Sequence, residues 1–179
     1  MLYGLTSSLL LGAAVTPYNL NVTAVTADKG SSILECWQLD VPFSPSTYVG
    51  ISGSATAYLG SLANITYTVV PPHYDGELHN APFKQWVVFI SGLAYLTLPD
   101  DETTGAYISG GGHGVIFAAD TADVSLKGHL TQFPGVTETV LLQIPVKDGK
   151  IPAHSLLHSG PCNSYETTGL LEMVTGGSW

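Results

Sequence analysis

The stretch "HNAPFKQWVVFISG", residues 79–92, is a polar segment that leads into an apolar run and ends at a glycine. Side chains alternate between the two faces of a strand, so Gln85, Val87 and Phe89 share one face and Trp86 lies on the other. Both faces are apolar, which is typical of a strand in the middle of a two-layer barrel. The stretch therefore predicts an all-β fold in which the Gln85 face lines an interior pocket.

The rest of the chain has the same character. From residue 19 onward, short β-prone runs follow one another, each bounded by Gly, Pro, Asn or Asp. The runs are residues 19–27, 32–41, 63–72, 85–92, 94–99, 106–111, 114–120, 128–133 and 138–146. Strands at this spacing predict a sandwich or barrel of antiparallel strands. Only residues 54–63 and 165–176 have a composition that suits a helix, and both segments are short and contain Gly.

Length and charge narrow the function classes. A chain of 179 residues is long enough for one core and short for two, and no linker divides it, so we expect a single domain. The formal net charge is -9, with five lysines and no arginine. No surface can therefore present a dense basic field, which argues against binding to nucleic acid and to anionic membranes.

Several features predict a secreted protein. Residues 1–16 have an apolar centre followed by small residues, as in a secretory signal, the alternative being a buried N-terminal strand. Asn21 and Asn64 begin N-x-T sequons, which accept a glycan only on exposed segments. Cys36 and Cys162 are expected to form a disulfide in an oxidising export route, the alternative being two separate buried thiols. Residues 17–163 would then form the barrel and residues 164–179 a C-terminal tail.

The opening stretch resembles the first motif of the cupin superfamily, whose members are small jelly-roll barrels with ligands projecting into the interior. That motif has two histidines, a glutamate and a final glycine. Here His79 takes the place of the first histidine and Gly92 that of the glycine, whereas Ala81 and Gln85 stand where the second histidine and the glutamate would be.

A second motif strengthens the resemblance. The run "GVIFAADTADVSLKGHLTQF", residues 114–133, is similar to the second cupin motif with a lengthened turn, and His129 takes the place of its histidine. More narrowly, residues 34–162 resemble small secreted fungal cupin-like proteins. The resemblance implies a jelly-roll fold and a small-molecule substrate, and a homodimer is a further expectation from it.

The resemblance leaves two kinds of chemistry open. In a metal-dependent oxygenase or decarboxylase, a single divalent ion would be held by His79, Gln85 and His129, with Glu77 or His73 as a further ligand. Gln85 supplies no negative charge, so such a site would be weak. With no cofactor, His79 and His129 would act as proton donor and acceptor and Gln85 would orient the substrate.

We therefore predict a secreted enzyme of isomerase, cyclase or lyase type that converts a small, largely apolar metabolite without redox chemistry. The alternatives are the metal-dependent enzyme and a non-catalytic secreted binding protein. The substrate-binding wall is predicted to include Tyr67, His73, Val87 and Phe89. Asp120 is assigned only a local role, in organising the turn that precedes His129.

Overall fold

A computed structural model describes residues 19–45 and 55–167 of the protein. The predicted signal sequence and the part of the predicted tail after residue 167 lie outside the described residues. Strands make up more than half of the described part of the chain and helix almost none of it, so the prediction of an all-β protein is confirmed.

Thirteen strands and one short helix make up the described structure. They are β1 (Asn19–Asp28), β2 (Ser31–Pro42), β3 (Ser44–Pro45), β4 (Ala55–Thr56), β5 (Thr66–Val70), β6 (Tyr74–Asp75), β7 (Gln85–Ser91), β8 (Leu93–Leu98), β9 (Asp101–Ser109), β10 (Val115–Ala118), β11 (Leu130–Phe133), β12 (Thr139–Pro145), β13 (His154–Ser159) and α1 (Ser164–Thr167). No helix in this part of the chain has the length and apolarity needed to cross a bilayer.

Two main sheets carry the fold. One has seven strands in the order β13-β2-β1-β10-β7-β12-β5, and the other has four in the order β6-β11-β8-β9. The strands β3 and β4 form a separate pair. Most neighbours are antiparallel, as predicted, but β1 and β10 run parallel. The prediction of antiparallel strands is therefore wrong at the β1–β10 pair, where the two strands run in the same direction.

The chain passes between the sheets at a glycine. β7 belongs to the seven-stranded sheet and β8 to the four-stranded one, and only Gly92 separates them. Gly92 has a φ of 85°, a conformation that residues with a side chain rarely adopt. A Cβ at this position would also overlap Thr139, the first residue of β12. The final glycine of the opening stretch therefore turns the chain from one sheet into the other.

The seven-stranded sheet is apolar on both faces, as the pattern of β7 predicts. Val87 and Phe89 belong to a core cluster that also contains Leu96 and Phe133 of the four-stranded sheet, so this core lies between the two sheets. Trp86 belongs to a second cluster on the opposite face. That second cluster comprises Val22, Ala24, Trp37, Leu39, Trp86, Phe117, Ala119 and Val146.

The strand predictions succeed where the runs are apolar or alternating and fail at the C-terminal end. All nine predicted runs contain a strand. β13 was not predicted, because its sequence "HSLLHS" combines two histidines with serines and leaves Leu156 and Leu157 exposed. Within residues 55–63 no helix forms, and the helix predicted at 165–176 is limited to α1 in the described residues.

A disulfide between Cys36 and Cys162 joins β2 to the segment before α1, and the predicted pairing is confirmed. Asn21 lies beneath this segment. Its side chain is only 7% exposed and its amide donates a hydrogen bond to the backbone carbonyl of Glu166 at 3.0 Å. The exposure predicted for this sequon is therefore wrong, because the C-terminal segment covers it, whereas Asn64 is exposed.

Removing the disulfide is expected to lower the free energy of unfolding substantially, because the bond closes a loop with a sequence separation of 126 residues. For the double variant Cys36→Ala/Cys162→Ala we expect a loss of about 3 to 4 kcal/mol in urea unfolding. Wild-type protein unfolded in the presence of a reductant provides the matched comparison and should show the same loss. A double variant within about 0.5 kcal/mol of the oxidised wild type would contradict this expectation.

Candidate active site

A cavity of about 360 Å³ lies between the two sheets. The seven-stranded sheet contributes Thr68, Val70, Gln85, Val87, Phe89, Ile116, Ala118, Leu141 and Gln143 to its wall. The four-stranded sheet contributes Tyr74, Leu96, Thr131 and Phe133. The connecting segments contribute Gly76, Glu77, Leu78, His79, Ala81, Pro82 and His129. The wall is thus largely apolar, with a small number of polar groups, which is the usual composition of a small-molecule site.

Most of the residues predicted for the pocket line this cavity. They are Glu77, His79, Gln85, Val87, Phe89 and His129. Tyr67 and His73 do not, and their assignment to the substrate-binding wall is wrong. On β5 it is Thr68 and Val70 that face the cavity, so Tyr67 points outward and is 63% exposed. His73 lies in an exposed turn with a φ of 56°.

The two histidines from the separate motifs meet at the cavity wall. The backbone N–H of His79 donates to the carbonyl of His129 at 3.0 Å, and the N–H of His129 donates to the carbonyl of His79 at 3.0 Å. This reciprocal pair is one rung of an antiparallel bridge. The ring centroids are 4.7 Å apart. The backbone itself therefore places both imidazoles at one position on the wall.

Gly128 makes this approach possible. It has a φ of 73°, and a Cβ there would overlap the backbone carbonyl of His79. Any other residue would strain the left-handed conformation and push the His79 segment away from His129. The dipeptide Gly128–His129 thus combines the residue that permits close approach with the residue that faces the cavity.

A buried carboxylate holds the ring of His129. The Nδ1–H of His129 donates to Oδ2 of Asp120 at 2.7 Å, and the Asp120 side chain is fully buried. A carboxylate oxygen can only accept, so the ring proton lies on Nδ1 and the lone pair of the neutral ring lies on Nε2. His129 lines the cavity, and the described residues place no hydrogen-bond partner at Nε2. The bond to Asp120 therefore fixes the orientation of the His129 ring at the cavity wall.

Two serines extend the network around Asp120. Ser32 donates to Oδ2 of Asp120 at 2.7 Å and contacts the hydroxyl of Ser125 at 2.8 Å. Because the hydrogen of Ser32 goes to the carboxylate, the hydrogen of Ser125 goes to Ser32. Ser125 in turn accepts from the backbone N–H of Gly128 at 3.0 Å. Each hydroxyl donates and accepts, and hydrogen bonds in such a chain strengthen one another.

The loop between β10 and β11 is also held from outside. The side-chain amide of Asn80 donates to the carbonyls of Asp120 at 3.1 Å and Ser125 at 2.9 Å, which ties the His79 segment to the loop. Lys127 forms an ion pair with Asp100. Hydrogen bonds from Lys127 and then from Ser31 lower the pKa of Asp100 below its ordinary value. The position of His129 is therefore fixed from both sides of the loop.

Gln85 is a buried polar residue without a partner. It is 3% exposed and lines the cavity, and none of the described residues forms a hydrogen bond with its carboxamide. The carboxamide atoms of Gln85 are not among the fully enclosed unpaired atoms of the described residues, so they retain accessible surface in the cavity. The donors and acceptor of Gln85 are therefore available to a bound molecule.

His79, His129 and Glu77 do not form a compact ligand group among the described residues. Within the described residues, one group of three His, Cys, Asp or Glu side chains has ligating atoms within 4.8 Å of one another, and it consists of Cys36, Cys162 and Glu166. Both of its sulfurs are committed to the disulfide. Glu77 does not bring a carboxylate into such a group with His79 and His129, so no negative charge offsets a cation there.

Asp120 is the main functional residue that the sequence analysis missed. It ends the apolar run "VIFAAD", and a carboxylate directly after a buried strand has few ways to remain in water. Its separation of nine residues from His129 was the available signal. Ser32, Asn80 and Ser125 carry no comparable signal, because short polar residues are common in turns for many reasons.

Comparisons of the chain with models of known protein families, with characterised proteins and with solved structures find no match. The functional interpretation therefore depends on the cavity and the side chains that line it.

The role of Gly128 can be tested by Gly128→Ala. We expect a loss of roughly 3 kcal/mol or more in the free energy of unfolding, because backbone strain and overlap with His79 add together. Gly149→Ala is the matched control, since Gly149 also has a positive φ, of 64°, but nothing lies within 4 Å of its Cβ position. That variant should lose only about 1 kcal/mol. Equal losses in urea unfolding would contradict the close approach.

Proposed function

We propose that the protein is an enzyme that converts a small, largely apolar molecule by acid/base chemistry without redox steps, in the cavity between its sheets. The observation that carries this proposal is the bond from Nδ1 of His129 to the buried carboxylate of Asp120, which leaves Nε2 free at the cavity wall. A buried carboxylate behind an imidazole holds the tautomer that a general base needs and stabilises the imidazolium that forms.

The reaction begins with removal of a proton from carbon. Nε2 of His129 takes a proton from a C–H bond next to a carbonyl group, and the electron pair moves onto the carbonyl oxygen. The amide N–H of Gln85 donates to that developing oxyanion. Return of the proton to a different carbon gives an isomer, so that no atom or electron is gained or lost overall. Departure of a neighbouring leaving group, or attack by the enolate on a second electrophile in the substrate, gives elimination or ring closure.

His79 is suited to the second proton transfer. Its Nδ1–H donates to the carbonyl of Glu77 at 2.7 Å, and its ring lines the cavity beside that of His129. The side chain of His79 is exposed, whereas His129 is buried. With Nδ1–H on the carbonyl of Glu77, His79 would donate to the substrate from Nε2 in its imidazolium form and regain that proton from solvent, while the proton taken by the buried His129 is released in turn.

The apolar wall supports this chemistry. Val87, Phe89, Leu96 and Phe133 give the cavity wall an apolar surface. Hydrogen bonds to a developing charge are stronger in such a region than in water. The same residues favour a substrate with an apolar body.

We also propose that the two sheets belong to a jelly-roll barrel of the cupin type, in a secreted protein. The two sheets on either side of one cavity, the position of Gln85 on its wall and that of His129 immediately before β11 support the fold. The disulfide supports an oxidising compartment. The oligomeric state predicted by the resemblance remains a prediction.

Deuterium exchange tests the acid/base function directly. In D₂O, wild-type protein should accelerate exchange of the methyl protons of a small aryl methyl ketone such as 2-acetylnaphthalene, followed by proton NMR. Asp120→Asn should lower the rate constant for deuterium exchange of the bound ketone by about 10²- to 10⁴-fold, because the asparagine amide no longer selects the Nδ1–H tautomer of His129. His129→Gln should abolish the acceleration.

The matched control is His113→Gln, which replaces an exposed histidine in a turn outside the cavity and should exchange the ketone as wild type does. Thermal unfolding of each variant establishes that it is folded. Equal exchange by wild type and by folded His129→Gln would contradict the acid/base function and favour a binding protein.

A further inference from the structure

We propose that the cavity selects an uncharged ligand, with one hydrogen-bonding head group and an apolar body, and rejects carboxylates, phosphates and thioesters of charged carriers. This inference deepens the proposed function and depends on it for the identity of the site. It follows from three properties of the wall, namely its charge, the position of its polar groups and its size.

No cationic side chain other than the two imidazoles can meet a ligand in the cavity. The chain has no arginine, and its five lysines lie at positions 29, 84, 127, 147 and 150, all within the described residues. None of them lines the cavity. Glu77, which does line it, adds negative charge to the wall. A ligand carboxylate would therefore lose its hydration without gaining a counter-charge.

The two imidazoles and the carboxamide of Gln85 lie at one end of the cavity. On β7, Gln85 is the first residue and Phe89 the fifth, so about 13 Å of strand separates the carboxamide from the aromatic ring. Gln85 pairs with Ala118, whose strand leads directly into Asp120, so the carboxamide lies at the end of the sheet from which the His129 loop departs. Phe89 pairs with Leu141 at the other end. Thr68, beside Leu141, donates to Gln143, so apart from this bonded pair the Phe89 end of the wall is apolar.

The unpaired groups at the polar end define the head group. The amide of Gln85 provides donors, and Nε2 of neutral His129 provides an acceptor. A carbonyl oxygen of the ligand accepts a hydrogen bond from the amide of Gln85. An acidic C–H or a hydroxyl next to that carbonyl then faces Nε2 of His129. A ketone, aldehyde, lactone or enol therefore satisfies both residues, whereas a hydrocarbon leaves Gln85 unpaired.

The size of the cavity sets the size of the body. Apolar cavities of about 150 Å³ bind benzene. A cavity of about 360 Å³ therefore holds a molecule of roughly two fused rings, or one ring with a short chain.

Three probes with the same ring system test the inference by isothermal titration calorimetry at pH 8, where ordinary histidines are neutral and carboxylates are ionised. The probes are 2-acetylnaphthalene, 2-naphthoate and 2-ethylnaphthalene. We expect the ketone to bind at least tenfold more tightly than the carboxylate, and more tightly than the hydrocarbon. Binding of the naphthoate as tightly as the ketone would overturn the inference, and so would the absence of ketone binding.

Gln85→Leu identifies the head-group contact. In this variant the preference for the ketone over the hydrocarbon should disappear, while the hydrocarbon still binds. Gln132→Leu is the matched control, because Gln132 is bonded to Asp75 outside the cavity and its replacement should leave all three affinities unchanged. An unchanged ketone preference in Gln85→Leu would contradict the contact.

The two proposals can fail separately. Charge selectivity without accelerated deuterium exchange would remove the enzymatic function and leave an uncharged-ligand site. Accelerated exchange that naphthoate inhibits as strongly as a competing ketone would keep the enzyme and remove the selectivity.

Discussion

The hydrogen bond between the buried carboxylate of Asp120 and Nδ1 of His129 is the contact on which the organisation of the cavity wall depends. This carboxylate has no solvent exposure; both of its donors, His129 and Ser32, bind Oδ2, whereas Oδ1 has no hydrogen-bond partner among the described residues. The donors come from β2 and from the start of β11, so satisfying one charge draws distant parts of the chain together. Ser125 and Gly128 continue the chain of hydrogen bonds to the point where the backbone of His129 meets that of His79. Fold and site therefore share one polar network.

The sequence predicts the parts of this structure that depend on periodicity. The alternation in β7 correctly separates Val87 and Phe89 from Trp86, because a strand allows only two faces. In β5 the same alternation of side chains turns Tyr67 outward and its neighbour Thr68 toward the cavity, so Tyr67 does not belong to the cavity wall. The meeting of His79 and His129 followed from two separated motifs, whereas the role of Asp120 depends on tertiary contacts that no local pattern contains. Burial of Asn21 likewise arises from a segment about 145 residues away.

The chemistry of the cavity follows from what its wall lacks as well as from what it carries. The described wall contains no lysine, the whole chain contains no arginine, and Glu77 does not join the imidazoles to form a ligand set. No lysine or arginine is therefore available to balance an anionic ligand, and selectivity falls to hydrogen bonds made in an apolar region. The unpaired carboxamide of Gln85 and the free Nε2 of His129 are consistent with one substrate oxygen and one transferable proton. Such a site suits neutral molecules, for which binding does not require burial of an uncompensated charge.

The tautomer of His129 is the most direct test of the account. Long-range proton–nitrogen correlation spectra of uniformly ¹⁵N-labelled protein distinguish protonated from unprotonated ring nitrogens, and the spectrum of His129→Gln assigns the signals of this residue. For ligand-free protein at pH 8 we expect Nδ1 of His129 to be protonated and Nε2 to be unprotonated. In Asp120→Asn this single tautomer should be lost. A His129 ring that carries its proton on Nε2 in the wild type, or whose spectrum is unchanged by Asp120→Asn, would contradict the account.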